Sequence, residues 1–266
     1  MLKRTKGVCM HLKTLLALFA AFVLLLIYQQ IYMLGCAFSL AIPMLVTLII
    51  TYSLARMKLE QRRCLAACYF TEDSFLSKVV KSPIFLTLIS FFLALFVALF
   101  LFTSLPLMDL WGVLILLVDS FILGFSYIYL LSKFRSTLKE RMRERVVIAF
   151  ITWINVAVMA LFYAAMQYYA SPPIDLQNGL EQNMMLFSNS VASECGFLNT
   201  LLKLNAEAQV LQWHTWSYLI DTLEQSALRL ATTLLFLLQG GLLFFALSRY
   251  ILEVVRFVHA HESENG

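Results

Sequence analysis

The stretch TLLALFAAFVLLLIYQQIYMLGCAFSLAIPMLVTLIITYSLAR, residues 14–56, decides the fold. It is almost unbroken apolar sequence, and as one helix it would run ~65 Å at 1.5 Å per residue. The hydrocarbon core of a bilayer is only ~30 Å thick. The chain must therefore reverse, and the local turn signal is Leu34-Gly35-Cys36. Glycine tolerates the left-handed backbone that a tight helical hairpin can use. Gln29, Gln30 and Tyr32 stand just before the turn, at the depth of a polar and aromatic belt. A full hairpin is expected, with a re-entrant pair as the alternative.

Outward from this hairpin the same composition persists. Of 266 residues, 61% are hydrophobic and 14% charged, against ~45–50% and ~25% in an average soluble domain. That excludes an ordinary soluble domain and a disordered chain. Six stretches reach the ~20 apolar residues that a spanning helix needs: 14–34, 36–55, 84–104, 111–132, 147–169 and 230–248. The predicted fold is all-α, a polytopic membrane protein with six transmembrane helices and a helical extracytoplasmic segment between the fifth and sixth. Its parts are a basic N-terminus with the first hairpin (1–56), an interfacial connection (57–83) and a second hairpin (84–132). A basic connection (133–146), the fifth span (147–169), the outer segment (170–229), the sixth span (230–250) and a tail (251–266) follow. In the 57–83 connection a helix is expected from Thr71-Glu72-Asp73, with Phe75, Leu76, Val79 and Val80 on one side, lying along the membrane surface. The basic start and apolar run also resemble a secretory leader, and Met33-Leu34-Gly35-Cys36 a lipoprotein cleavage site. The run is longer than a leader's ~7–15 residues and another span follows at once, so an uncleaved first span is expected.

Lysine and arginine give the orientation. Eighteen of the twenty lie in the N-terminus, the 57–83 and 133–146 connections with their flanks, and the end of the chain; only Lys203 and Arg229 fall on the other side. The positive-inside rule then puts both termini in the cytoplasm. The outer segment has no Asn-x-Ser/Thr acceptor, and a bacterial inner membrane is expected. Cys195 is the one cysteine in that segment, with Cys36 near the turn and Cys9, Cys64 and Cys68 cytoplasmic. A disulfide scaffold is not expected, and Cys195 reads as a free buried thiol.

From Trp213 the apolar positions run Trp216, Ile220, Leu223, Ala227, Leu230, Leu234 and Leu237, alternating steps of three and four. That is a heptad seam. It predicts one unbroken helix from the outer segment into the sixth span, with Trp213, Trp216, Ile220 and Leu223 as a surface for a partner or a second copy, or else for the bundle itself. Upstream, Phe197, Leu198, Leu201, Leu202 and Leu204 form a second apolar patch, so a small helical cap is expected. Trp213 and Trp216 flank His214, a pattern that a Trp belt explains.

Asp119 is the one charged residue inside these spans. A carboxyl group at such depth is costly and usually faces the bundle or a cavity. It is either structural, held by Asn155, Trp153 or Gln239, or the binding group of a proton- or ion-coupled site. Gln239-Gly240-Gly241 suits close helix approach. The run Lys133, Arg135, Lys139, Arg141, Arg143 and Arg145 suits anionic lipid headgroups, and no nucleic acid is expected. Cys64 and Cys68 share a helix face, and His259, His261, Glu262 and Glu264 lie in the tail; they do not compose a zinc site. Soluble-enzyme motifs are missing, and spans 1–3 do not repeat in 4–6. The expected function is that of a non-enzymatic membrane subunit of a cell-envelope assembly (secretion, conjugation or membrane-acting defence), partnered by lipid and by other membrane proteins or its own copy. The alternative is a small ion- or proton-coupled transporter using Asp119. No cofactor or metal is expected.

Overall fold

A computed structural model describes residues 2–69, 82–169, 175, 178–222 and 226–264. Among them are eight α-helices and no strand: α1 (Leu2–Ile31), α2 (Cys36–Tyr69), α3 (Pro83–Ser104), α4 (Leu110–Lys133), α5 (Glu140–Tyr169), α6 (Leu180–Asn189), α7 (Gly196–Thr222) and α8 (Ser226–Glu264). Six segments are long and apolar enough to cross a bilayer: Lys13–Ile31, Cys36–Arg56, Pro83–Leu107, Leu110–Lys133, Met142–Met166 and Thr233–Val258. The first five match the stretches read from the sequence to within a few residues. The chain is a helical bundle of membrane-protein type. The surface helix expected to begin at Thr71-Glu72-Asp73 lies outside the described residues.

The bundle is inside-out in polarity relative to a soluble domain. Phe19, Leu48, Phe92, Phe96, Val118, Ile122, Phe125 and Leu161 face outward, as contact with lipid requires. Ser39, Thr47, Ser90, Ser120, Thr152 and Ser248 are buried. Many of these hydroxyls donate to a carbonyl one turn back on their own helix, as Thr47 does to Pro43 at 2.7 Å and Thr152 to Ile148 at 2.7 Å. Such bonds satisfy a hydroxyl where no water is at hand. Helix α8 is the hub, packing on α1, α2, α3, α4, α5 and α7. Close approach is built with glycine. A Cβ on Gly240 would sit 2.9 Å from Tyr163 Cδ1 on α5, and one on Gly124 would collide with Leu18 on α1. Gly240 therefore serves helix packing, as its sequence suggested.

Four expectations need correction. The turn Tyr32–Gly35 does separate two long helices, but no glycine among the described residues has positive φ. The turn closes with ordinary right-handed geometry, Leu34 N–H donating to Ile31 O at 2.9 Å and Phe38 N–H to Gly35 O at 3.1 Å.

Cys195 is not a free thiol. It is joined to Cys36 across a sequence separation of 159, with the Cα atoms 4.5 Å apart. Cys195 has no second cysteine within residues 170–229 to pair with, but the tip of the first hairpin supplies the partner.

The seam from Trp213 to Leu237 is not one helix. Helix α7 ends at Thr222 and α8 starts at Ser226. The Trp213 and Trp216 rings lie 5.7 and 5.8 Å from Phe236. On a continuous helix Trp213 and Phe236 would stand ~35 Å apart. Of the seam positions, Trp213 and Trp216 pack on α8, whereas Leu234 on α8 is exposed. The side chains of Ile220 and Leu223 lie outside the described residues.

Arg249 and Arg256 do not follow the last span. The apolar segment continues to Val258, and Arg249, Glu253 and Arg256 are all buried. Mutual pairing lets these charges enter the bundle, where a hydropathy window reads them as an ending.

Candidate functional site

Three polar groups meet in the bundle interior. Asp119 projects from α4, Asn155 from α5 and Ser248 from α8. Each lies on the inward stripe of a helix whose remaining faces are apolar. The Asn155 side-chain amide donates to Asp119 Oδ2 at 3.1 Å and to Ser248 Oγ at 3.1 Å. Ser248 donates to Phe244 O at 2.6 Å. Asp119 is 1% exposed, and its Oδ1 has no hydrogen-bond partner among the described residues. A carboxyl group in this setting needs a proton or a cation to be neutral.

A second cluster lies deeper along α8. Glu253 pairs with Arg256 at 2.7 Å. Arg249 stands 5.4 Å from the Phe245 ring centroid, and Arg256 stands 5.7 Å from that of Tyr52 on α2. By helix rise Ser248 and Glu253 are ~8 Å apart along the axis.

The other end of the bundle is closed by α7. Its N-terminal end is tied to the first hairpin by the disulfide, by Ser193 Oγ donating to Tyr32 O at 2.7 Å, and by Glu194 N–H donating to Met33 O at 3.4 Å. In its middle, the Asn205 amide reaches Thr103 and Ser104 at the end of α3 at 3.5 and 3.4 Å. Trp213 and Trp216 then seat it on α8. The buried positions Leu198, Leu202, Ala206, Val210 and Trp213 fall on one helical stripe, which explains why this segment lies on the bundle. Helix α6 packs on α7, with Asn183 Nδ2 2.9 Å from His214 Nε2.

Beneath α7 lies a cavity of about 230 Å³ between α3, α4, α5, α7 and α8. Gln209, Gln212 and Gln239 line it, as do Asp109 and a wall of aromatic rings. Ile115 and Leu116 also line it, and Asp119 follows them on α4 by one turn.

The sequence-derived site residues are thus divided. Asp119 and Asn155 are brought together. Gln239 is not with them: it precedes Ser248 on α8 by nine residues, ~14 Å, and lines the cavity instead. Trp153 is 65% exposed and faces away from Asp119. Trp213 and Trp216 are buried against the chain's own α8. Lys133, Arg135 and Lys139 are exposed at the connection between α4 and α5, Arg143 and Arg145 are half-buried, and the Arg141 side chain lies outside the described residues. Ser248, Arg249, Glu253 and Arg256 were missed. A period of three to four among polar residues at 249, 253 and 256 was the available signal. Among the described residues no group of three or more His, Cys, Asp and Glu side chains could hold a metal ion. No protein-family model, no curated protein and no solved structure matches the chain.

Proposed function

We propose that this chain is a small proton- or ion-coupled membrane transport protein, with Asp119 as the group that takes up and releases the coupling ion. The observation that carries the reading is the buried carboxyl group shared by three spanning helices, with one oxygen unpaired among the described residues. It stands between a cavity at one end of the bundle and a buried Arg–Glu–Arg group toward the other. Gln239, Ser248 and Glu253 set polar groups over ~21 Å of α8, most of a ~30 Å hydrocarbon core. In this reading the chain is not an enzyme.

The membrane is proposed to be a bacterial inner membrane, with both termini cytoplasmic and α6 and α7 outside. The asymmetry of lysine and arginine supports this orientation. The disulfide supports it independently, because such bonds persist in oxidising compartments and Cys36 and Cys195 fall on the side that the charge rule calls outer. The basic connection from Lys133 to Arg145 then faces anionic headgroups of the inner leaflet.

The test is flux of protons, and in parallel of sodium ions, in proteoliposomes under an imposed potential, read with internal pH- and sodium-sensitive dyes. Asp119→Asn keeps the shape and can still accept from Asn155, but it carries no titratable proton. Flux above protein-free vesicles is expected for the native chain. It should fall to background in Asp119→Asn with an unchanged thermal midpoint. Full flux in the variant, or none in the native protein, would refute the reading.

A second reading, membrane subunit of a cell-envelope assembly, is favoured by one observation. Phe197, Leu204 and Leu211 recur every seven residues on α7 and are exposed, as are Met185 and Leu186 on α6. Regular exposed apolar positions on an outer helix suit a partner helix or a second copy. Native protein should then run as an oligomer or bring other chains through purification, and the double variant Leu204→Ser/Leu211→Ser should lose them. A monodisperse monomer for the native chain counts against this second reading.

A further inference from the structure

We infer that the cavity beneath α7 is a binding site for a small organic ammonium ion with an apolar body. Its chemistry selects the class of ligand. Among the described residues that line it, Asp109 is the one side chain of formal charge, and none is lysine or arginine. An anion would meet a carboxylate and no counter-charge. A cation meets that carboxylate, whose Oδ1 also accepts from Gly112 N–H, at the exposed rim and the rings of Trp213, Phe236, Phe244 and Tyr163 within; aromatic rings attract cations through their faces.

The polar groups have the right valence for an N–H donor. Gln209, Gln212 and Gln239 bring three side-chain amides to one space. Of the Gln212 amide, Nε2 is buried without a hydrogen-bond partner among the described residues. A half-turn of its last torsion exchanges the carbonyl and the NH₂, which occupy nearly the same shape. An ammonium group can be met by the amide oxygens that reach the cavity.

Size sets the limit. The cavity measures about 230 Å³. It lies just below the ~300–1,000 Å³ range of pockets for drug-sized ligands. One aromatic ring with a short aminoalkyl chain fits within it. Its floor is one helical turn from Asp119, so an ion held there neighbours the coupling group. The role of transported substrate rests on the transport reading above; the binding itself does not.

The experiment is calorimetric titration of the full chain in lipid nanodiscs with phenethylammonium, and with phenylacetate as an anion of similar size. Saturable binding of the ammonium ion and none of the anion is expected. Asp109→Asn should weaken the ammonium at least tenfold; asparagine caps a helix as aspartate does, so α4 should be kept. Asp119→Asn should still bind. Equal binding of cation and anion, no binding of the cation, or full affinity in Asp109→Asn would overturn the inference. Binding retained by Asp119→Asn together with retained flux would sink the transport reading and leave this site standing. No ammonium binding with flux lost in Asp119→Asn would do the reverse.

Discussion

Replacing Glu253 with alanine is expected to destabilise the bundle by about 3–5 kcal/mol, the range for breaking a buried ion pair from one side. Glu253 is fully buried and pairs with Arg256 at 2.7 Å. The charges of Arg249 and Arg56 also act on it. Arg249 lies four residues before it on α8 and Arg256 three after, so all three share one face of the helix. Without the carboxylate, two guanidinium groups remain in a bundle interior where each was compensated. Unfolding by SDS in mixed micelles should show the loss. Glu253→Gln should lose part of it, because an amide is polar but uncharged. A combined Arg249→Met/Glu253→Leu/Arg256→Met variant should recover much of the stability, since apolar replacements of similar volume avoid the desolvation cost. Native stability in Glu253→Ala would mean that these side chains are not packed together.

The disulfide is expected to have the next largest effect. It closes a sequence separation of 159 residues, and loss of such a bond typically costs ~2–4 kcal/mol. The loss should be localised. Cys36 heads α2 and Cys195 immediately precedes α7, so the bond pins one end of the helix that roofs the cavity. The other end is held by Trp213 and Trp216 on Phe236. Cys36→Ser or Cys195→Ser should lower the unfolding midpoint and speed proteolysis of α7 while the spanning helices stay protected. An unchanged proteolysis pattern would show that the hydrogen bonds of Ser193 and Glu194 hold α7 unaided.

The spans were legible because a membrane imposes one requirement everywhere: ~20 apolar residues with internal backbone bonds. That requirement located five segments within a few residues. It failed at the sixth because Arg249, Glu253 and Arg256 satisfy one another, and local hydropathy does not register a partner three residues away. The heptad spacing after Trp213 was real but ambiguous. A 3.5-residue period marks a face that packs on a helix; it does not say whether that helix is its own continuation, a neighbour or another chain. Asp119 was legible because a lone carboxyl group in an apolar run is conspicuous, and Asn155 because amides are scarce in spans. Ser248 was not legible, since serines that bond their own helix are common in such sequences. The Cys36–Cys195 pair was missed because cysteines were counted within the outer segment alone, whereas the turn at Gly35 brings Cys36 to the same end of the bundle.

The central claim is that α7 roofs the outer end of a six-span bundle and is locked to the tip of the first hairpin. Thiol labelling of intact, right-side-out cells tests it most directly. A membrane-impermeant maleimide should leave Cys36 and Cys195 unmodified until a membrane-impermeant reductant is added, and then label both, with a peptide pair crosslinked through these two residues recovered from untreated protein. Labelling without reductant would contradict the bond, and labelling only after the cells are lysed would place that end of the bundle on the other side of the membrane.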